Sequence, residues 1–394
     1  MSNWQIVKLG ELYSVHNGLS KGRQFFGTGY PFLTFSNVFN NWFLPNELDS
    51  LVQTTDKERE ACSIKYGDVF ITRTSETMNE LGMSSVALKD YPDATYNGFT
   101  KRLRPFTDKV LPNYIGYYLR SPKFRGKFMA FSSMTTRASL ANDNLLNMEI
   151  ELPPMDVQKK IATILSRYDS LIDNYQKQIK LLEEAAQRLY KEWFAQNNNL
   201  ETIKLVDISS KITDGVHNTV YNEEGSPYKL LSCKNVVGGH LMINSSERSI
   251  SKDTFEKLRK RTQLEKGDIL VSTVGSVGEV VYLDIEPNHI EFQRSVGIIK
   301  VDKNVVTPLY VYYSLLNRKN ELKRTAHGAA QQCLFISDLK NFEILIGSKK
   351  QIQNFENFVK PISERITNVR HQLRLLTESR DRLLPKLLSG EIEV

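Results

Sequence analysis

KYGDVFITRT (residues 65–74) returns about two hundred residues later as EKGDILVSTV (residues 265–274). Both write a Gly-Asp turn and then an alternating apolar run, Val69 and Ile71 in one and Ile269 and Val271 in the other, which is the pattern of a turn feeding a half-buried strand. Upstream, YPFLTFSNV (30–38) is matched by SPYKLLSCKNV (226–236), each with a Pro, an apolar run and an Asn-Val. Downstream, LPNYIGYYLRS (111–121) is answered by TPLYVYYSLLN (307–317), a Pro-initiated helix rich in tyrosine. The openings also agree, IVKLGEL (6–12) against IKLVDIS (203–209). Matched elements in one order at one displacement mark a tandem duplication.

Each copy ends in a long amphipathic segment. In the first, Ile161, Leu165, Tyr168, Ile172, Tyr175, Ile179, Leu182, Ala186, Leu189 and Trp193 follow the four-three alternation of a coiled-coil seam. The second continues likewise through Ile352, Phe355, Val359, Ile362, Ile366, Val369, Leu373 and Leu376, then Arg380, Leu383 and Leu387. An isolated amphipathic helix leaves its apolar stripe wet, so each seam needs a partner, and the simplest is the other copy. The first helix spans roughly 57 Å at 1.5 Å per residue. The QNNNLE linker (196–201) is too short to bring the chain back, so the second helix must return antiparallel. Such a rod would act as a ruler between two similar domains. Pro361 predicts a kink or a fresh start near Lys360, Arg380 and Pro385 predict a looser final turn, and off-seam aromatics such as Phe194 predict exposed apolar surface.

The fold class expected is α+β: two tandem-repeated mixed α/β domains separated by two long helices forming an antiparallel coiled coil. The boundaries are 1–155 for the first domain, 156–196 for the first helix, 197–348 for the second domain and 349–394 for the second helix. A chain of 394 residues is long enough for this division. The opening MSNWQIVKLGEL lacks a basic stretch followed by an apolar run, and no run of about twenty apolar residues occurs, so a cytoplasmic protein is expected. Cys62, Cys233 and Cys333 are scattered, without disulfide or zinc spacing, and are expected to be buried. The net charge of +7 permits a polyanionic partner. Local basic clusters, KRLR (101–104), RSPKFRGK (120–127), KLRKR (257–261) and RKNELKR (318–324), are dense enough to neutralise phosphates.

Enzymatic motifs fail on context. Residues 18–22, GLSKG, fit the GxSxG elbow without the strand and helix it requires, and a polar loop explains them better. FFGTG (25–29) has the FxGxG form of methyltransferases, but Pro31 follows, and LPPM (152–155) lacks the polar donor and stacking ring of the partner tetrapeptide. The histidines are isolated, so no metal set is expected, although His217 and His327 lie in Gly-bearing loops where a ligand could sit. TVGSVGEV (273–280) suits equally a hairpin turn or a backbone approaching a phosphate.

LPPMDVQKKIATILSRYDSLIDNYQKQIKLLEEAAQRLYKEWF (152–194) resembles the central helix of the specificity subunit of type I restriction-modification enzymes, and RDRLLPKLLSGEIEV (380–394) resembles that family's closing segment. The likeness extends over the whole chain, including the SSMTTRASLANDNLLNMEIELPP stretch (132–154) before the first helix. The second copy departs from it, since IGSKKQIQNF replaces the Pro-Pro lead-in. The resemblance implies two target recognition domains that read the halves of a split, asymmetric double-stranded DNA target. It implies helices that set the spacing and bind two modification (methyltransferase) subunits, with restriction and translocase subunits completing the complex, and no membrane. It also implies that this chain is not an enzyme: S-adenosylmethionine, ATP and Mg belong to the partner subunits, and this chain carries no cofactor. The alternative from another class is a structural coiled-coil scaffold that reads no DNA.

Base reading calls for Arg or Lys against guanine and Asn or Gln against adenine. In the first domain the candidates are Lys21, Arg23, Asn37, Arg73, Thr74, Ser75, Thr136 and Arg137. In the second they are His217, Lys234, Asn235, Thr273, Ser276, Arg294, Gln331 and Gln332. Lys101, Arg102, Arg259, Lys260 and Arg261 are better placed for phosphates, which position without specifying.

Overall fold

A computed structural model of the chain describes residues 4–73, 80–132, 141–197, 199–244, 246–328 and 332–394. It divides into two compact units, Met1–Asn174 with Leu373–Val394, and Tyr175–Gln372. In the first unit the strands are β1 (Gln5–Lys8), β2 (Tyr13–Asn17), β3 (Phe26–Leu33), β4 (Leu51–Val52), β5 (Val69–Thr72), β6 (Ser84–Val86), β7 (Thr95–Tyr96), β8 (Thr100–Pro105) and β9 (Glu149–Leu152). Its helices are α1 (Phe35–Asn40), α2 (Asp56–Ala61), α3 (Pro112–Tyr118), α4 (Pro122–Ser132), α5 (Asn142–Leu146) and the first part of α6 (Met155–Tyr190). The central sheet is antiparallel in the order β2-β8-β5-β6, β1 pairs with β9, and β3 runs parallel to β7.

The second unit holds the rest of α6, then β10 (Glu201–Lys204), β11 (Ser209–Asp214), β12 (Lys229–Leu231), β13 (Val236–Val237), β14 (His240–Leu241), β15 (Ile269–Ser272), β16 (Val280–Tyr282), β17 (Ile290–Phe292), β18 (Val296–Val301) and β19 (Glu343–Ile346). Its helices are α7 (Lys252–Thr262), α8 (Pro308–Asn317), α9 (Lys319–Arg324), α10 (Ile336–Asn341) and most of α11 (Lys349–Ser389). The sheet order β11-β18-β15-β16, the β10-β19 pair and the parallel β12-β17 pair repeat the β2-β8-β5-β6 sheet, the β1-β9 pair and the parallel β3-β7 pair of the first unit, while the β13-β14 pair is additional and, among the described residues, no strand beside β12 matches β4. The duplication read from the sequence is thus a duplication of topology.

The shared Gly-Asp turn has one physical job in both copies. Gly67 and Gly267 adopt φ of +85° and +99°, where a side chain would be strained. The following aspartate then accepts the backbone N–H three residues earlier, Lys65 to Asp68 at 2.7 Å and Glu265 to Asp268 at 2.9 Å. Residues 69–72 and 269–272 enter the middle of the sheet fully buried, their apolar side chains feeding cores above and below.

The long helices pack antiparallel within each unit. In the first, Ile161 and Leu165 of α6 share a core with Leu384, Leu387 and Leu388 of α11. In the second, Ala186 and Tyr190 of α6 meet Ile352, Phe355 and Val359 of α11. Tyr168, Ile172, Tyr175, Ile179, Leu182, Ile362, Leu373 and Leu376 stay half-buried, while Ile366 and Val369 are buried.

Several expectations are corrected. Near the end of α6 the buried positions are Ala186, Tyr190 and Phe194, one register away from the expected Leu189 and Trp193, which remain half-buried. A π-helical turn over Lys191–Ala195 lets Phe194 reach the core. There it stacks edge-on against Tyr310 at 4.8 Å, so it is not exposed apolar surface. Burying such a ring contributes roughly 2–3 kcal/mol. Pro361 does not interrupt α11, because Val359 and Ile362 on either side are drawn into one core and tertiary packing overrides the lost backbone bond. Pro385 likewise lies inside α11, flanked by buried Leu384 and Leu387. As Pro31 implies, FFGTG leads into β3 and not into a helix, with Gly27 and Gly29 forming a bulge. Cys62 is buried, whereas Cys233 and Cys333 are partly exposed.

Candidate nucleic-acid interface

In the second unit a cleft of about 490 Å³ opens beside the sheet, lined by Asp214, His217, Thr273, Arg294, Cys333 and Phe335 among others. Three of the sequence candidates, His217, Thr273 and Arg294, converge there. The chain leaves β11 through Gly215, where a Cβ would lie 2.0 Å from the Phe292 carbonyl oxygen. Only glycine fits that approach, and it delivers His217, whose Nε2 lies 2.7 Å from Asp214 Oδ2. Arg294 follows β17, exposed, with its backbone N–H donating to Val216 at 3.0 Å. Opposite, Phe335 is half exposed and stacks on His327 at 5.3 Å, while His327 Nε2 lies 3.3 Å from Asp338. The cleft thus combines a guanidinium, an imidazole, a carboxylate and a flat ring. Those are groups that read base edges or stack on a base.

The same rung in the first unit carries different chemistry. Gly18 repeats the close approach, with a Cβ position 2.1 Å from the Asn97 carbonyl oxygen. Asn17 stands where Asp214 does, since Asn17 and Asp214 end the equivalent strands β2 and β11. Arg73 is half-buried at the end of β5, donating its backbone N–H to Phe99 at 2.8 Å. Lys101 is nearly buried and donates to the Asn142 side chain; burial, then the charge of Arg73, pushes its pKa down. Thr74, Ser75, Thr136, Arg137 and Gln331 lie outside the described residues.

Other candidates are committed to the fold and are corrected on that ground. Asn37 is a helix-capping residue: its side-chain oxygen accepts the backbone N–H of Thr34 at 3.0 Å. Asn235, 1% exposed, does the same for Ser232 at 2.9 Å and donates to Met242 at 2.8 Å. The repeated Asn-Val is therefore a cap used twice. Thr273 is buried, its hydroxyl donating to the Arg294 carbonyl at 3.2 Å. Arg102 is buried over Tyr96 and donates to the Ser63 carbonyl at 2.6 Å. Arg259 pairs with fully buried Glu291 at 2.6 Å, and Arg261 donates to the Asp214 and Gly215 carbonyls. Lys21 is neutralised by Glu58 at 2.7 Å, a bond that holds the Glu58 carboxyl below its usual range. Lys234 pairs with Glu247 at 2.8 Å. Arg23, Lys260, Ser276 and Gln332 remain exposed. TVGSVGEV is a hairpin joining β15 and β16, pinned by Ser272, whose hydroxyl accepts the Glu279 N–H at 2.8 Å. Asp214 and Phe335 were absent from the sequence candidates; the only signal for Asp214 was its place before Gly215 and three residues ahead of His217.

Against known proteins, residues 1–184 and 199–374 match the type I restriction modification DNA specificity domain. The chain belongs to that family. It carries the specificity domain twice, in tandem. The specificity subunit of the type I restriction enzyme MjaIX of Methanocaldococcus jannaschii is 27% identical, the alignment covering 100% of this chain and 94% of that one. The HindI specificity subunit of Haemophilus influenzae is 24% identical over 100% of both. Among solved structures, the type I restriction-modification S subunit from M. genitalium superposes with a TM-score of 0.64 at 14% identity, covering 98% of this chain and 96% of that one, a likeness of fold. Among the described residues no helix is long and apolar enough to cross a membrane, and no group of three or more His, Cys, Asp or Glu is placed to hold a metal.

Proposed function

We propose that this specificity subunit reads a split, asymmetric double-stranded DNA sequence, one half with each domain, and performs no catalysis itself. Methyl transfer with S-adenosylmethionine would belong to two modification subunits held along the long helices. ATP- and Mg-dependent cleavage would belong to restriction subunits. The observation that carries this reading is one fold built twice with different side chains at the same rung: Asn17, Arg73 and Gly98 in the first unit, Asp214, Thr273 and Arg294 in the second. Identical scaffolds with unlike linings suit unlike half-sites. The long helices α6 and α11, each with one end in each unit, support a role in spacing.

The test is methylation mapping of genomic DNA from cells expressing this chain with its modification subunit. A split motif that appears only when this chain is present is the expected result. No new motif from a complex shown to be assembled would leave a structural scaffold as the better reading.

A further inference from the structure

The two domains present an arginine at the same rung from different strands. In the second unit the Thr273 N–H donates to Ser295 at 2.9 Å, and the neighbouring Arg294 N–H donates to Val216 at 3.0 Å. In the first unit the equivalent bonds run from Arg73 to Phe99 at 2.8 Å and from Gly98 to Leu19 at 2.7 Å. The backbone ladder is the same, so Arg73 occupies the place of Thr273, and Gly98 that of Arg294. Space at the rung favours the exchange. A Cβ on Gly98 would stand 3.1 Å from the Leu19 carbonyl oxygen and 2.5 Å from Ser20 Oγ, so a side chain where the second unit carries Arg294 would have to displace the Ser20 hydroxyl and crowd the Leu19 carbonyl. Conversely, the short Thr273 side chain turns inward onto the Arg294 carbonyl and leaves the rung to Arg294.

Arg73 and Arg294 stand apart from Arg102, Arg259 and Arg261, whose donors are spent on the fold. Neither has a carboxylate partner among the described residues. Arg294 also shares its cleft with the Asp214 carboxylate, which holds His217 at 2.7 Å and Arg261 at 3.7 Å and keeps lone pairs that could accept from a cytosine amino group. A guanidinium offers two parallel donors, matched by O6 and N7 on the major-groove edge of guanine.

We infer that Arg73 and Arg294 are the guanine-reading residues of this protein, one in each half of its target, set on opposite strands of the same ladder. The inference rests on the DNA-reading role proposed above. Its test is methylation mapping in cells carrying the modification subunit with the full-length chain as wild type, Arg294→Ala, Arg294→Gln or Arg73→Ala. Arg294→Ala is expected to make one G·C position of one half-site degenerate, with discrimination falling roughly tenfold to a hundredfold, while the other half-site stays intact and reports that the subunit is folded. Arg294→Gln is expected to move that position toward adenine. Arg73→Ala is expected to relax a G·C position in the other half. An unchanged motif methylated more weakly at every site would make these arginines phosphate contacts and overturn the inference, as would both variants altering the same half. A wild-type chain that directs no split motif would instead sink the DNA-reading role, and this assignment with it.

Discussion

The Asp68 carboxylate lies 2.6 Å from the Arg104 guanidinium, its side chain fully buried, and the bond holds Arg104 in its charged form. Asp268 and Lys300 make the same contact at 2.8 Å in the second unit, where burial pushes the Asp268 carboxyl up against the opposing pull of Lys300. Each pair ties the Gly-Asp turn to the central strand of its sheet.

Removing one partner strands the other. Arg104→Ala is expected to cost about 3 kcal/mol, because Asp68 would keep a buried charge without its cation. Adding Asp68→Asn should restore part of that loss. Urea unfolding of the full chain checks both, and a loss below about 0.5 kcal/mol would show that backbone N–H groups alone hold the turn.

The capping asparagines should matter to stability and not to reading. Asn37→Ala and Asn235→Ala are each expected to destabilise by about 1–2 kcal/mol through the lost cap. The methylated motif should be unchanged in every base. A motif altered by Asn235→Ala would return that residue to the reading surface.

Glu151 gives a pH dependence. Lys123 at 2.6 Å, aided by Lys127 at 3.6 Å, holds its carboxyl below the ordinary value of 4.5. A lowered folded-state pKa means that the stabilisation is complete above the unfolded value and is lost as pH falls through the folded one. An NMR titration of Glu151 should therefore place its midpoint under 4.5, moving upward in Lys123→Ala. A midpoint indifferent to that substitution would count against the latch between α4 and β9.

The helices can be tested as a ruler. Deleting one heptad from α6 and the facing heptad from α11 removes about 10 Å of rise, on the order of three base pairs of duplex. The unspecified spacer of the mapped target should change accordingly. Half-sites at an unaltered separation would refute the spacing role.

The duplication, the strand after each Gly-Asp and both long helices were legible because their signals are local: a turn, an alternation, a seam. The sequence named Arg73 and Arg294 as candidates but could not separate them from residues that hold the fold, and the reason is instructive in Asn37 and Asn235. Their recurrence in both copies drew them in as candidates, yet a residue that serves two domains of different specificity is the one holding the fold they share. Arg73, half-buried, and Arg294, exposed, do not correspond, and neither is tied to a carboxylate among the described residues. Arg102 and Arg259 looked like surface charge because their acceptors, the Ser63 carbonyl and the Glu291 carboxylate, come from 39 and 32 residues away. Phe194 was misjudged on seam geometry alone, before the second unit's aromatic core could claim that face, and Pro361 brings no fresh start because α11 runs through it.

The first unit takes Leu384, Leu387 and Leu388 into its core together with Ile161 and Leu165. On the ribosome, therefore, the domain whose residues emerge first is finished last. Its apolar floor stays open while some two hundred further residues are translated. A message cut short between codons 373 and 383 would release a chain whose second domain is complete and whose first is still unsealed.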